Sequence, residues 1–177
     1  MTMTGKKALI LVAVIFVLPV LAAKLVLEMG WYTKGVTNNG ELLVEEIKAD
    51  WLAHDGQWRL VYALPESCSS QCESALFQLN QIPVAVGRER ERVASILLTP
   101  EASPVKEGTN VTRQKIDAAM LKTLSSLPFP GQAIYLVDPL NYLILAYPVP
   151  EEKAAQVAQS KGLLSDLRKL MKLSKVG

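Results

Sequence analysis

The sequence predicts an α/β domain, a central mixed sheet flanked by helices, carried behind one N-terminal transmembrane helix. Three observations predict it. Residues 8–23, ALILVAVIFVLPVLAA, hold no charge. Beyond them, short β-rich apolar runs alternate with stretches of helical periodicity. The two cysteines of the chain, Cys68 and Cys72, stand at the junction between one such run and the helix that follows it.

A spanning helix needs about 20 largely apolar residues. Residues 8–27 meet that length if Lys24 carries its ammonium to the interface while its stem stays among apolar neighbours. Pro19 is tolerated inside a membrane helix. Lys6 and Lys7 precede the run and Glu28 follows it. Positive charge before the run keeps the N-terminus in the cytoplasm and sends the rest across. Trp31 and Tyr32 fall where an interfacial aromatic belt belongs. Val20-Leu21-Ala22 offers the small-residue pattern of a cleaved signal peptide; the length of the run and the downstream aromatics favour a retained anchor. The expected division is an anchor over residues 1–30 and a domain over residues 31–177. The expected location is the cytoplasmic (inner) membrane of a bacterium, single-pass, with the domain in the periplasm.

Residues 41–48 mix apolar and acidic side chains and suit a first strand or a short helix. Residues 58–64, WRLVYAL, are nearly continuous in apolar character, as in a buried central strand. Pro65-Glu66-Ser67 breaks that strand. Ser67 is placed to cap a helix beginning near Cys68. Cys68, Cys72, Ala75, Leu76 and Leu79 follow at helical spacing, and Pro83 and Gly87 end or kink the helix. Residues 92–99, RVASILLT, predict the next strand, and residues 100–110 a loop. Residues 112–127 place Ile116, Ala119, Met120, Leu124 and Leu127 on one side and predict an amphipathic helix. Residues 128–131 are a sharp break. Residues 133–137 and 142–147 predict two strands joined by Asp138-Pro139-Leu140-Asn141 as a tight turn. Leu163, Leu164, Leu167, Leu170 and Met171 form a helical stripe, with Arg168, Lys169 and Lys172 near the end where the helix dipole favours cations. The order is strand, helix, strand, helix, hairpin, helix, with an extra element at the start. That is the order of a thioredoxin-like domain: a β-α-β half followed by a β-β-α half.

The whole chain sets bounds on function. Its 177 residues make room for one domain with a real core. The formal net charge of +2 leaves no broad electrostatic footprint for nucleic acid. Two cysteines are too few for a stapled secreted scaffold. A lone close pair reads instead as redox or metal chemistry. At positions i and i+4 of a helix two side chains share a face, so the sulfurs can close a disulfide or clamp one soft ion. A thiolate at a helix N-terminus is stabilised by the dipole and the unpaired N–H groups. That assigns Cys68 as the attacking thiol and Cys72 as the resolving one. The competing reading is an inert buried pair or a fixed disulfide.

The stretch WRLVYALPESCSSQCESALFQL resembles the Sco family of cytochrome c oxidase assembly proteins, and so does the later IYLVDPLNYLILAYP. The resemblance runs from about Asp55 to Lys172. It is closer still to a divergent bacterial branch that ends in a basic helix like LLSDLRKLMKLSKVG. It implies a single membrane helix, a thioredoxin-like domain and a C-x-x-x-C motif after the first central strand. It also implies work on a cytochrome c oxidase subunit or its assembly factors. Sco proteins complete a copper site with a histidine just before the first strand of the hairpin. Here Phe129-Pro130-Gly131 stands at that place, and the one histidine, His54, lies upstream in an expected surface loop. Cys68 and Cys72 would then hold Cu(I), which accepts two sulfurs, whereas Cu(II) calls for the absent imidazole. Pro130 is a candidate for the cis-proline that faces the dithiol in thioredoxins. Peroxiredoxins share the fold but need Thr or Ser three residues before the attacking cysteine, where Pro65 stands.

The expected function is therefore an accessory factor in cytochrome c oxidase assembly, acting by thiol-disulfide exchange or by transient copper handling. A non-enzymatic interaction protein on the same fold and a general periplasmic thiol reductase are the alternatives.

Overall fold

The computed structural model describes residues 5–29, 37–54, 56–100 and 110–174. The chain divides into two units, Met1–Thr37 and Asn38–Gly177.

In the first unit α1, Gly5–Glu28, is one helix of 24 residues with Pro19 inside it. It is long and apolar enough to cross a membrane, by length and composition. At 1.5 Å per residue it measures about 36 Å, against a hydrocarbon core of about 30 Å. Lys24 Nζ lies 3.7 Å from the carboxylate of Glu28, one turn on, at the end of the apolar run. Trp31 and Tyr32 lie outside the described residues.

The second unit is a six-stranded mixed sheet with helices on both faces. Its elements are β1 (Glu41–Lys48), β2 (Trp58–Ala63), α2 (Ser70–Val86), β3 (Val93–Thr99), β4 (Val111–Lys115), α3 (Ala118–Ser126), β5 (Ala133–Val137), β6 (Tyr142–Pro148) and α4 (Lys153–Leu173). The strand order is β1-β6-β5-β2-β3-β4. β2, β3 and β4 run parallel to one another, and β5 and β1 are antiparallel to their neighbours. β2 is buried along its whole length because both of its faces are covered. Side chains alternate between faces. Trp58, Leu60 and Tyr62 pack with α2 and α4, while Val61 and Ala63 pack on the other face with Ile96, Leu98 and Leu124. This is the thioredoxin-like fold that the element order predicts.

Two elements differ from the sequence reading, and a third is decided between its alternatives. Residues 41–48, open between strand and helix, form an edge strand. Its register against β6 jumps between Leu42 and Ile47, which face Leu145 and Leu143. Residues 112–127, read as one helix, split into β4 and the shorter α3. The exposed edge of β3 takes up Val111–Lys115 as a parallel partner. Asp117 then caps α3, its Oδ1 accepting the N–H of Met120 at 2.7 Å. The helix expected to begin near Cys68 under a Ser67 cap begins at Ser70, with Ser69 as N-cap. The loop expected at residues 100–110 falls mostly outside the described residues.

Pro83 lies buried inside α2, and Gly87, at φ 85°, ends that helix. Proline has no N–H to give the carbonyl four residues back. That carbonyl belongs to Leu79, and Ser95 of β3 donates its hydroxyl to it at 2.6 Å. The turn expected at 138–141 is present. Asp138 Oδ1 accepts the N–H groups of Leu140 and Tyr142, and Asn141 adopts φ 74°. The guanidinium of Arg59, fully buried on β2, donates to the carbonyl of Asp138 and to Asn141 Oδ1, both at 2.6 Å.

Candidate functional site

The site lies at one end of the sheet. β2 runs toward it and ends at Ala63, and the chain passes through Pro65-Glu66-Ser67 to the cysteines. β5 is antiparallel to β2, so the segment 128–132 that precedes it reaches the same end. Ala133 pairs with Pro148, which brings the end of β6 there too. Two hydrogen bonds lace these pieces together. Gln71 Nε2 donates to the carbonyl of Val149 at 2.8 Å, and the N–H of Val149 donates to the carbonyl of Gln132 at 2.9 Å. Gln71 adjoins Cys72, so the helix that carries the cysteine is tied to the strand end by a neighbouring side chain.

Cys68 and Cys72 form a disulfide, with Cα atoms 5.1 Å apart. The two sulfurs differ in environment. Cys68 precedes the Ser69 cap and is exposed. Cys72 is the third residue of α2 and is 1 % exposed, packed into the core that holds Trp58, Leu60 and Tyr62. This shifts the electrostatic argument. The two sulfurs are bonded to each other at the start of α2, so the unpaired N–H groups of the first turn do not tell them apart, while burial opposes charge on Cys72. Cys68 is set apart by access.

The remaining sequence candidates fall as follows. His54 is exposed, at φ 59°, and its Nε2 lies 2.7 Å from the hydroxyl of Thr112 on β4. The structure does not bring it to the cysteines. No group of three or more His, Cys, Asp or Glu side chains that could hold a metal occurs among the described residues. Among the described residues the His, Cys, Asp and Glu donors brought together there are thus the two sulfurs. Opened, the pair suits a soft monovalent ion and lacks the nitrogen or oxygen donors that Cu(II) needs. Phe129-Pro130-Gly131 does sit at the sheet end of the cysteines. There are no cis peptide bonds among the described residues, so Pro130 is trans and is not a thioredoxin-type cis-proline. The reversal there is made by Phe129 at φ 56° and Gly131 at φ 71°. Tyr62 and Tyr135 fasten this loop, Tyr62 by a hydrogen bond to the carbonyl of Gly131 and Tyr135 by bonds to those of Pro128 and Phe129. Burial pushes both phenols up to about 12.

Sequence reasoning missed Gln71 and Phe77. Phe77 stands off the buried face of α2 set by Cys72, Ala75, Leu79 and Ile82 and is 66 % exposed. The signal was available: on a helical wheel Phe77 points away from those four.

A thioredoxin-like sheet with one disulfide at its end and a single exposed sulfur, preceded by a helix long and apolar enough to cross a membrane, defines a thioredoxin-like protein. A family model described as "Transmembrane-like, thioredoxin-like, C-terminal domain" matches residues 58–174. The chain belongs to that family. No curated protein matches it in sequence. Among solved structures it is similar to a SCO1/SenC family lipoprotein from Bacillus anthracis str. Ames, at 11 % identity and a TM-score of 0.47, over 66 % of this chain and 82 % of that one. It is similar to Bradyrhizobium japonicum ScoI with copper bound, at 16 % identity and a TM-score of 0.41, over 60 % and 85 %. It is similar also to Arabidopsis thaliana ScoI with copper bound, at 13 % identity and a TM-score of 0.46, over 65 % and 86 %.

Proposed function

We propose that this protein is an accessory factor in cytochrome c oxidase assembly that works by thiol-disulfide exchange through Cys68 and Cys72. One observation carries the chemistry: the pair is bonded, with one sulfur exposed and the other buried in the first turn of α2. The sequence resemblance to Sco proteins supports the setting. In this reading residues 1–30 are a retained anchor, residues 31–177 are the working domain, and that domain faces the periplasm.

The reaction is two exchanges. A partner thiolate attacks Sγ of exposed Cys68 and the Cys68–Cys72 bond breaks. Cys72 leaves as a thiolate, helped by the N–H groups of the helix start, and takes up a proton. A second thiol of the partner then attacks the mixed disulfide and releases Cys68. The partner ends as a disulfide and this protein as a dithiol. Run backwards, reduced Cys68 attacks a partner disulfide and Cys72 resolves it. In the dithiol form the two sulfurs suit Cu(I) as passing cargo, and opening the disulfide is the step that creates that site.

The test is trapping in cells with the full chain. A Cys72→Ser variant removes the resolving thiol, so mixed disulfides through Cys68 accumulate, and mass spectrometry identifies what is joined. An oxidase subunit or assembly factor among the adducts supports the reading. Adducts with unselected periplasmic proteins indicate a general thiol reductase instead. An absence of adducts, with Cys68 reduced, sinks the exchange mechanism.

A further inference from the structure

The solvent-facing sides of α2 and α4 form a groove that opens beside the disulfide. The two helices lie parallel with their N-termini together. Gln78 Nε2 donates to Gln159 Oε1 at 2.8 Å near the middle, and Arg168 donates to the carbonyl of Ala85 near the far end. Ser70, Glu73 and Phe77 of α2 face Lys153, Val157 and Ser160 of α4 across the mouth. Past Phe77 the groove turns more apolar, toward Ile82 and Leu164.

Two features mark this groove as a surface held ready for another molecule. The first is exposed apolar area beside the reactive sulfur. Phe77 is 66 % and Val157 56 % exposed, and Phe129 is exposed at the same end of the sheet. Phe77 and Phe129 are the exposed aromatics among the described residues of the Asn38–Gly177 unit; its other aromatics are buried or half-buried. The second is charge. Glu73 and Glu151 line the mouth, Glu152 follows Glu151 in the chain and Glu66 precedes the cysteines; all four are exposed, and none has an ion pair among the described residues. Among the described residues Lys153 is the one cation lining the mouth, and Lys161 lines the apolar part beyond it. Helix N-termini offset nearby carboxylates, here Glu73 in the first turn of α2 and Glu152 at the cap of α4; Glu66 lies four residues before α2 and Glu151 precedes the α4 cap, and the rim stays negative.

We propose that this groove receives a cysteine-bearing segment of a partner protein that carries a bulky apolar residue and basic residues. The apolar residue seats on Phe77 and Val157, the basic residues meet the glutamate rim, and the partner's cysteine is left at Cys68, two residues before the groove begins at Ser70. The inference rests on the thiol-exchange reading. Charge complementarity of this kind sets encounter rate and selectivity.

The experiment measures how fast the disulfide of the full chain, in nanodiscs, is opened by three capped peptides. One carries a single cysteine among leucines and lysines. The second has glutamates for the lysines, and the third serines for the leucines. Dithiothreitol is the groove-independent reference. The basic apolar peptide is expected to react about tenfold faster than either control, a difference of about 1.4 kcal/mol. Raised salt should shrink the lysine share of that advantage. Phe77→Ser and Val157→Ser, both at exposed positions, should each remove most of it while the dithiothreitol rate stays unchanged. Equal rates for the three peptides would overturn the proposal. An advantage that survives both substitutions would do the same, as would a shift from dimer to monomer in Phe77→Ser, which gives the groove to a second copy of the chain. If dithiothreitol fails to open the disulfide, it is the exchange reading that fails.

Discussion

Ser95 donates its hydroxyl to the main-chain carbonyl of Leu79 at 2.6 Å, and Pro83 is the reason that carbonyl has no donor within its own helix. The bond ties α2, which carries Cys72, to the strand beneath it. Ser95 is 2 % exposed, so bulk solvent does not reach the site. Ser95→Ala should cost about 1–3 kcal/mol, the penalty of a buried acceptor left without a donor. In a Pro83→Ala background residue 83 regains an N–H, and the same change should cost less than about 1 kcal/mol. Urea unfolding of the four chains measures the coupling. Equal costs in both backgrounds would show that Ser95 acts by packing alone.

The start of the second unit is fixed by Asp166, which is 2 % exposed. Its Oδ2 accepts from the N–H groups of Asn39 and Gly40 and from the Tyr147 hydroxyl. Its Oδ1 accepts from Asn39 Nδ2 at 2.9 Å. Close approach makes this fit possible, since a Cβ on Gly162 would meet the Asn39 side chain at 2.8 Å. Asp166→Ala strands four donors and should cost about 3 kcal/mol or more. Hydrogen exchange at the Asn39 and Gly40 amides should rise to the rate of unprotected chain. Amides that stay protected in the variant would contradict the assignment.

Alkaline pH should loosen the domain. Burial raises Tyr62 and Tyr135 to about 12 and Tyr147 further, with the Asp166 carboxylate adding to the effect. A phenol raised in the folded state keeps its proton after the unfolded chain has lost it. The folded state then binds more protons, so stability falls as pH rises. The contribution is whole below pH about 10, the unfolded value, and is lost as pH climbs through about 12. Circular dichroism and the tyrosinate absorbance of these three phenols should therefore change together above pH 10. In a Tyr32→Phe, Tyr142→Phe background, which leaves only these three phenols, tyrosinate formation near pH 10 with the fold intact would show that they are not held as described.

The reduced cysteines should differ in access. Cys68 in a Cys72→Ser variant should alkylate more than about tenfold faster than Cys72 in a Cys68→Ser variant, because burial slows attack on the second sulfur. Rates of iodoacetamide labelling against pH give the comparison. A faster Cys72 across the range would reverse the roles assigned to the two thiols.

Copper preference follows from the donor set. The reduced domain should bind Cu(I) through two sulfurs and bind Cu(II) weakly. Pro130→His places an imidazole on the loop at the cysteine end of the sheet and should strengthen Cu(II) binding. Titrations of both ions against the two chains check this. Tight stoichiometric Cu(II) binding by the unaltered domain, surviving His54→Ala, would mean that other ligands are present.

Much of this architecture was legible in local pattern. β2 announced itself by an apolar run broken only by Arg59, and the hairpin by its Asp138-Pro139-Leu140-Asn141 turn. The cysteines stood where a strand breaks into a helix. What escaped was decided by distant partners. Residues 111–115 become a strand because β3 offers them an edge, and the Asp117 cap that begins α3 was hidden inside an apolar periodicity. Pro83 looks like a helix breaker until Ser95 supplies the missing donor. The bond from Asp166 to Asn39 joins residues 127 positions apart. At the site the residues were legible but the electrostatics were not. With the helix starting at Ser70 and not at Cys68, the two sulfurs are distinguished by burial and not by a place in the first turn.

The central claim is that the Cys68–Cys72 bond is a working redox couple. The direct test is its equilibrium in the full chain. The protein, held in nanodiscs, is brought to balance in thiol buffers of graded potential, and its free thiols are trapped and counted, with and without Cu(I). A reversible two-electron transition between disulfide and dithiol is the predicted result, with Cu(I) shifting the balance toward the dithiol it binds. A bond that stays closed against every thiol buffer, or a pair that no oxidant closes, would contradict the account.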